Sequence, residues 1–294
     1  MSLFVLVLIT GLGLAGLYFL LAVGLSLIFG LMDVLNIAHG AIFAVGAYTG
    51  IVVTQSLTFV GDLTLRFALG LLAAAVVGFV VGAVMEKLVI ARNYGNHLAH
   101  ILVTLGLGFV IVAVLGALFG HNIHTVTEPT WFAETVEILG ANIPLSRLVV
   151  AAIALLLLGA LVAFIRYTRH GLIIRAGAEN RAMVRALGID VNKSFTLVFA
   201  IGCALAAVGG VLGAVYYGGA TPELGTSQLI FAFIVIVIGG LGSITGTAVA
   251  AVAVALIQQL FNVYTVAGLG DIAVVVLLIA VLLLRPQGLM GRKA

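Results

Sequence analysis

One short polar group interrupts an otherwise apolar stretch: Asn36-Ile37-Ala38-His39-Gly40. On a helix, Asn36 and His39 share a face three positions apart. An amide and an imidazole both donate and accept hydrogen bonds, which suits the passage of a small polar solute across a bilayer. Gly40 would let the chain break there or let a neighbouring helix approach. The same pair would equally serve as an interhelical hydrogen bond that fixes packing, because buried polar groups must be satisfied in either role. A second group is Ile238-Gly239-Gly240-Leu241-Gly242-Ser243-Ile244. Gly239, Gly240 and Gly242 each weaken a helix by about 1 kcal/mol. Such a break inside a membrane is tolerated only where protein or a water-filled cavity surrounds it. The segment through Ser243 therefore reads either as a tight turn or as a hinge beside a pathway.

A third group lies in the basic stretch 166–193, which carries Arg166, Arg169, Arg175, Arg181, Arg185 and Lys193 against Glu179 and Asp190. Within it, residues 178–189 read as a short amphipathic helix. Met183 and Leu187 are one turn apart with Ala186 beside them, and Arg181 and Arg185 share another face. Gly188 suits the C-terminal cap, followed by Ile189. Such a helix could lie on lipid headgroups. Its few apolar side chains are meagre for lipid anchoring, and a pocket on a cytoplasmic partner is the better home for them.

Several chemistries lack their residues. The sequence contains no Gly-x-Ser-x-Gly, His-Glu-x-x-His or Gly-Lys-Ser/Thr, so nucleotide-driven work would need another chain to bind ATP. His121 and His124 have metal-ligand spacing, but no third strong ligand accompanies them, and they read as solvated loop residues. Cys203 is the single cysteine, which removes intrachain disulfides and multi-cysteine metal sites. Asp33, Asp62 and Asp271 fall at span edges, and the span interiors read as free of ionised side chains. That argues against a proton-coupled pump, which needs an intramembrane carboxylate relay.

The elements that must position these groups follow from composition. The 294 residues are 64% hydrophobic and 8% charged, with mean hydropathy +1.35. A soluble domain is roughly 25% charged, so there is too little charge here to coat a water-facing surface. The expected class is all-α: a polytopic transmembrane helical bundle of roughly eight to ten spans of about 20 residues each. The chain 1–294 reads as one domain, with spans near 3–31, 37–59, 67–85, 99–119, 148–166, 194–217, 227–240, 243–262 and 271–285. The weak points are 32–40 and 239–246, where a re-entrant segment would change the count. No basic region precedes the first apolar run, which is too long for a signal peptide and reads as a retained span. Lys and Arg at 86–97, 166–193 and the tail mark the cytoplasmic side. The segment 120–147, with Glu128, Glu134 and Glu137, then faces outward, as does the N-terminus. Five small-xxx-small repeats, among them Gly46 to Gly50, Gly78 to Gly82 and Gly209 to Gly213, predict closely packed helices.

In order along the chain, several blocks resemble the membrane permease subunits of branched-chain amino acid ABC importers. They are Asn36-Ile37-Ala38-His39-Gly40 with Gly46-Ala47-Tyr48, Leu102-Val103-Thr104-Leu105-Gly106, and Gly171-Leu172-Ile173-Ile174-Arg175-Ala176 with Ala178-Glu179-Asn180. Ala186-Leu187-Gly188-Ile189 and the block from Ile238 to Gly246 complete the set. The resemblance implies a multi-pass protein of the inner membrane, surrounded by lipid, that performs no bond chemistry and binds no cofactor or nucleic acid. It implies pairing with a second, identical or paralogous permease, two cytoplasmic ATPase subunits that bind the ATP, and an extracytoplasmic solute-binding protein. The family's coupling helix maps onto Glu179 to Ile189, and its early polar motif onto Asn36 and His39. Leu, Ile or Val is the implied cargo, with urea, short amides and small organic acids as alternatives among relatives. One departure is the stretch Ala91-Arg92-Asn93-Tyr94-Gly95-Asn96-His97, which lacks the proline common in the family. A passive small-solute channel would need no cytoplasmic partner. An intramembrane enzyme would need a catalytic dyad, and His39 is the lone candidate base within a span.

Overall fold

A computed structural model describes residues 2–93, 96–179, 181–188 and 191–290. Among them the chain forms α1 (Ser2–Met32), α2 (His39–Ser56), α3 (Leu63–Met85), α4 (His97–Phe119), α5 (Leu145–Tyr167) and α6 (Arg169–Glu179). Then follow α7 (Arg181–Ala186), α8 (Val191–Tyr217), α9 (Leu224–Gly239), α10 (Ile244–Tyr264) and α11 (Leu269–Leu284). The result is a polytopic all-α membrane protein. Six helical segments are long and apolar enough to cross a bilayer, and α9 and α11 are shorter apolar helices. Each of the nine expected spans coincides with one helix, α2 being the least apolar of them.

Polar side chains set several helix starts. Asp62 accepts from Thr64 N at 2.8 Å, Asn96 from Ala99 N at 3.1 Å, and Ser243 from Gly246 N at 3.1 Å. Each answers one of the donors that a helix N-terminus leaves unpaired. The outward segment between α4 and α5 holds a small hairpin, β1 (Thr135–Ile138) antiparallel to β2 (Ala141–Pro144). Its two-residue turn places Leu139 and Gly140 at φ 51° and 79°, the positive pair that a tight hairpin turn requires.

Helices α1 and α8 are mostly buried and form the centre of the bundle. The glycine repeats explain how closely the others approach. Gly46 and Gly50 of α2 rest on Ala207 and Val211 of α8, and Gly78 and Gly82 of α3 rest on Ala207 and Cys203. Two helices thus pack on one α8 groove, where van der Waals contact replaces the hydrophobic drive that lipid removes. The repeat at Gly116 to Gly120 has another role, ending α4 with Gly120 at φ 78°. Helix α4 is peripheral, with His100, Thr104 and Leu115 as its buried residues.

Two features depart from the expected spans. Helix α3 continues through a π-helical turn, Glu86–Ile90, so one continuous segment Leu63–Ile90 carries an acidic residue. Glu86 is buried and accepts a 2.6 Å hydrogen bond from Thr196 Oγ1 of α8. The expectation of carboxylate-free spans fails here because the helix outruns its apolar sequence. The basic stretch 166–193 is also more helical than the single short helix expected, since α6 begins at Arg169.

Candidate functional site

Asp33 ends α1: its amide bonds to Phe29 O at 2.8 Å, and its φ of 54° turns the chain back. Residues 34–38 then re-enter the bundle, and α2 starts beside Gly24 of α1. A Cβ added at Gly24 would fall 2.7 Å from His39 Nε2 and 2.6 Å from the Gly202 carbonyl oxygen of α8. Gly24 lies about 12 Å before the end of α1 at a rise of ~1.5 Å per residue. The chain after the break therefore folds back along α1 and is lined by protein.

Asn36 and His39 are both fully buried at this break. Neither amide atom of Asn36 and neither ring nitrogen of His39 has a hydrogen bond of good geometry. Leaving such a group unpaired costs about 1–3 kcal/mol; the two side chains do not bond to each other, and the Leu21 backbone of α1 lies beside the His39 ring. Gly40 brings α2 against the start of α9: its added Cβ would lie 2.5 Å from the Gly225 carbonyl oxygen and 3.1 Å from Leu229 Cβ.

Thr104 completes the surroundings, and sequence reasoning placed it only within a family block. It is fully buried on α4, a helix with few buried residues. Its Oγ1 accepts from Ile37 N at 3.2 Å and donates to His100 O at 2.7 Å. The signal that could have marked it is a hydroxyl within the apolar run 101–118. His100, also buried, places Nε2 at 3.3 Å from Ile90 O at the end of the π turn.

Gly239, Gly240, Gly242 and Ser243 form the turn between α9 and α10. Gly240 and Gly242 adopt φ of 97° and 80°, and Ser243 N bonds to Gly240 O at 3.1 Å. The incoming tail braces this turn, with Leu289 N on Ile238 O at 2.7 Å and Met290 N on Gly239 O at 3.1 Å. The turn leans on Gly30 of α1, against which a Cβ at Gly242 would come within 2.9 Å. The two glycine-bearing groups therefore touch α1 at different heights, Gly24 and Gly30, and do not meet in one contact.

Of the expected coupling residues, Glu179 closes α6, and Arg181, Met183, Arg185 and Ala186 lie on α7. Leu187 and Gly188 form its terminal turn, with Leu187 N on Met183 O at 3.1 Å and Gly188 at φ 76°. Ile189 lies outside the described residues. Val184 is buried, while Met183 and Leu187 are 64% and 72% exposed, so α7 is anchored on one side and offers apolar side chains on the other. Helix α6 joins this unit to the bundle, with Gly177 against Leu31 near the end of α1.

At the outer end, His121 and His124 go to different partners. His121 Nδ1 lies 2.9 Å from Glu223 Oε1, and His124 Nε2 lies 2.8 Å from Phe119 O. Burial raises the Glu128 carboxyl above its ordinary value, and nearby Arg147 partly offsets the rise.

Comparison with known proteins finds relatives along nearly the whole chain. The family profile described as "Branched-chain amino acid transport system / permease component" matches residues 7–284. The permease protein LivH of the high-affinity branched-chain amino acid transport system of Salmonella typhimurium is 30% identical, covering 96% of this chain and 94% of its own. BraD of Pseudomonas aeruginosa, named for the same kind of system, is 29% identical over 97% of this chain and 95% of its own. LivM of Escherichia coli is 29% identical over 93% of this chain and 67% of its own. No solved structure matches. A profile match across nearly the whole chain, together with relatives that align end to end, places this multi-pass inner-membrane protein in the family of branched-chain amino acid transport permease components.

Proposed function

We propose that the chain is one permease subunit of an ABC importer for branched-chain amino acids, and that residues 1–294 act as a single translocating domain. A second permease, identical or paralogous, completes the path. Two cytoplasmic ATPase subunits bind the ATP, and an extracytoplasmic binding protein delivers the solute. The chain holds no cofactor of its own. The observation that carries the pathway assignment is the buried Asn36 and His39 pair where α1 breaks into α2: the Asn36 amide has no hydrogen-bond partner, and the His39 ring has only the Leu21 backbone beside it. Such atoms can take the polar end of a passing amino acid and release it without breaking a structural bond.

Energy enters through α7. Met183 and Leu187 present an apolar face to a docked ATPase, while α6 carries movement to Leu31 of α1. The end of α1 leads directly into residues 33–38, so a push on α7 reaches the Asn36–His39 break through one short helix. The glycine turn at 239–243 braces α1 from the other side and gives it a fixed neighbour to move against. Rocking of packed bundles around such a site opens it to one side at a time.

Uptake of labelled leucine into vesicles containing the assembled importer tests both parts. His39→Leu and Asn36→Leu should lower uptake at least tenfold while ATP hydrolysis persists. Leu187→Asp with Gly188→Asp should lower uptake and co-purification of the ATPases together. Normal uptake in the first pair would remove the pathway assignment, and normal assembly in the second would remove the lever.

A further inference from the structure

Helices α5 and α10 both pack on α1 but scarcely touch each other. Between them runs a lateral furrow floored by α1. Its upper part, a space of about 510 Å³, is lined by Phe19, Ala154, Leu158 and Val252 among others. Its lower part, about 370 Å³, lies between Leu27, Ile165 and Ile174, with Arg175 and Ser26 as its polar members. Ser26 is fully buried, and its hydroxyl has no hydrogen-bond partner.

The lower end opens at the corner between α5 and α6. Arg166, Arg169, His170 and Arg175 are all exposed there, beside Tyr167, which is 82% exposed. Arg175 Nη2 donates to the Arg166 backbone carbonyl at 3.5 Å, which ties the Arg175 side chain to the end of α5. Among the described side chains no carboxylate lies within ion-pair distance of this cluster. The lower space, which Arg175 lines, thus lies beside exposed arginines that have no carboxylate partner among the described side chains. Exposed tyrosine at that level is the usual marker of the headgroup zone.

We infer that this furrow holds one anionic phospholipid of the cytoplasmic leaflet. Its phosphate sits among Arg166, Arg169 and Arg175, the Ser26 hydroxyl donates to an ester carbonyl, and an acyl chain lies between α5 and α10. Charge complementarity selects this occupant. Basic pockets between helices on the cytoplasmic side match anionic headgroups, and a zwitterionic lipid gains less from them. An ATPase or a second permease would meet the cluster with carboxylates and has no need of an apolar slot continuing into the bilayer. A lipid wedged between α5 and α10 would also stiffen α1 on the side away from α8. The inference is independent of the cargo assigned above.

Native mass spectrometry on the full chain, extracted from vesicles of equimolar phosphatidylglycerol and phosphatidylcholine, tests it. The wild-type protein should retain phosphatidylglycerol selectively. Replacing Arg166, Arg169 and Arg175 with Gln should lower that selectivity by about fivefold for each arginine neutralised. The corresponding lysine variant, which keeps the charge, should preserve most of it, and comparison of the two separates binding from a folding defect. Ala248→Phe, which narrows the furrow, should shorten lipid retention while leaving the cluster intact. Equal retention of both lipids by wild type, or unchanged selectivity in the Gln variant, would overturn the site. Displacement of the lipid by inorganic phosphate would make it an ion site instead, and loss of selectivity on co-assembly with a second permease would make it a protein interface.

Discussion

The phenol of Tyr18 on α1 donates a 2.6 Å hydrogen bond to the side-chain carbonyl of Gln258 on α10. Gln258 Nε2 in turn donates to Asp271 Oδ1 on α11 at 2.7 Å. Tyr18 and Gln258 are both buried, so this chain ties three helices together from the outer edge inward. Gln258→Leu should remove the Tyr18 acceptor and the Asp271 donor and destabilise the protein by about 1–3 kcal/mol. Adding Tyr18→Phe should recover part of the loss. Thermal unfolding of both singles and the double in one detergent measures the coupling, and simple additivity would show that the bond contributes nothing.

Thr104 holds the re-entrant segment through Ile37 N. Thr104→Val keeps the shape but removes the acceptor, so the Ile37 amide should exchange its hydrogen markedly faster. The expected loss of stability is about 1 kcal/mol. Unchanged exchange at Ile37 would mean that packing alone holds the segment.

The glycines separate into two groups by what a side chain would strike. At Gly210 an added Cβ runs into the Phe43 carbonyl oxygen and Ala47 N, both backbone atoms. Gly210→Ala should therefore cost about 1–3 kcal/mol or more and lower accumulation in the membrane. Gly106, on the exposed helix α4, has nothing within 4 Å of its would-be Cβ. Gly106→Ala should be neutral, or stabilising by up to about 1 kcal/mol. Equal yields of the two variants would contradict the α2–α8 packing described.

Glu128 predicts a pH dependence of the outer segment. Its carboxyl titrates above the ordinary value in the folded protein because burial disfavours the charge, with Arg147 opposing. Folding therefore favours the protonated form. That contribution is full below the unfolded value and is lost as pH rises through the higher folded one. The melting temperature of wild type should fall relative to Glu128→Gln across this acid range. Parallel curves for the two proteins would show that Glu128 does not contribute.

The architecture was legible from the sequence because lipid leaves few alternatives. Runs of about 20 apolar residues must be helices, and the nine expected spans each coincide with a helix. Asn36 and His39 stood out for the same reason, as polar groups in apolar sequence. What escaped were features set by three-dimensional pairing. Thr104 looks ordinary on α4 until the chain at 33–38 folds back against it. Glu86 looked like a loop residue because nothing local shows that Thr196, over a hundred positions later, will meet it inside a helical segment. The turn at 239–243 was undecided because glycine permits a hinge and a turn alike. Capping by Ser243 and the bracing tail are what settle its local form as a turn.

The contact of Gly40 with Gly225 has an electrostatic consequence. Helix α2 starts there and runs outward, while α9 starts there and runs toward the cytoplasm, so the two meet N-terminus to N-terminus. Each such end carries a partial charge of about +0.5. Two such ends side by side add their positive potentials, and the Glu223 carboxylate at the α9 N-cap position offsets part of the sum. The backbone layout at this contact therefore favours a nearby anion over a cation.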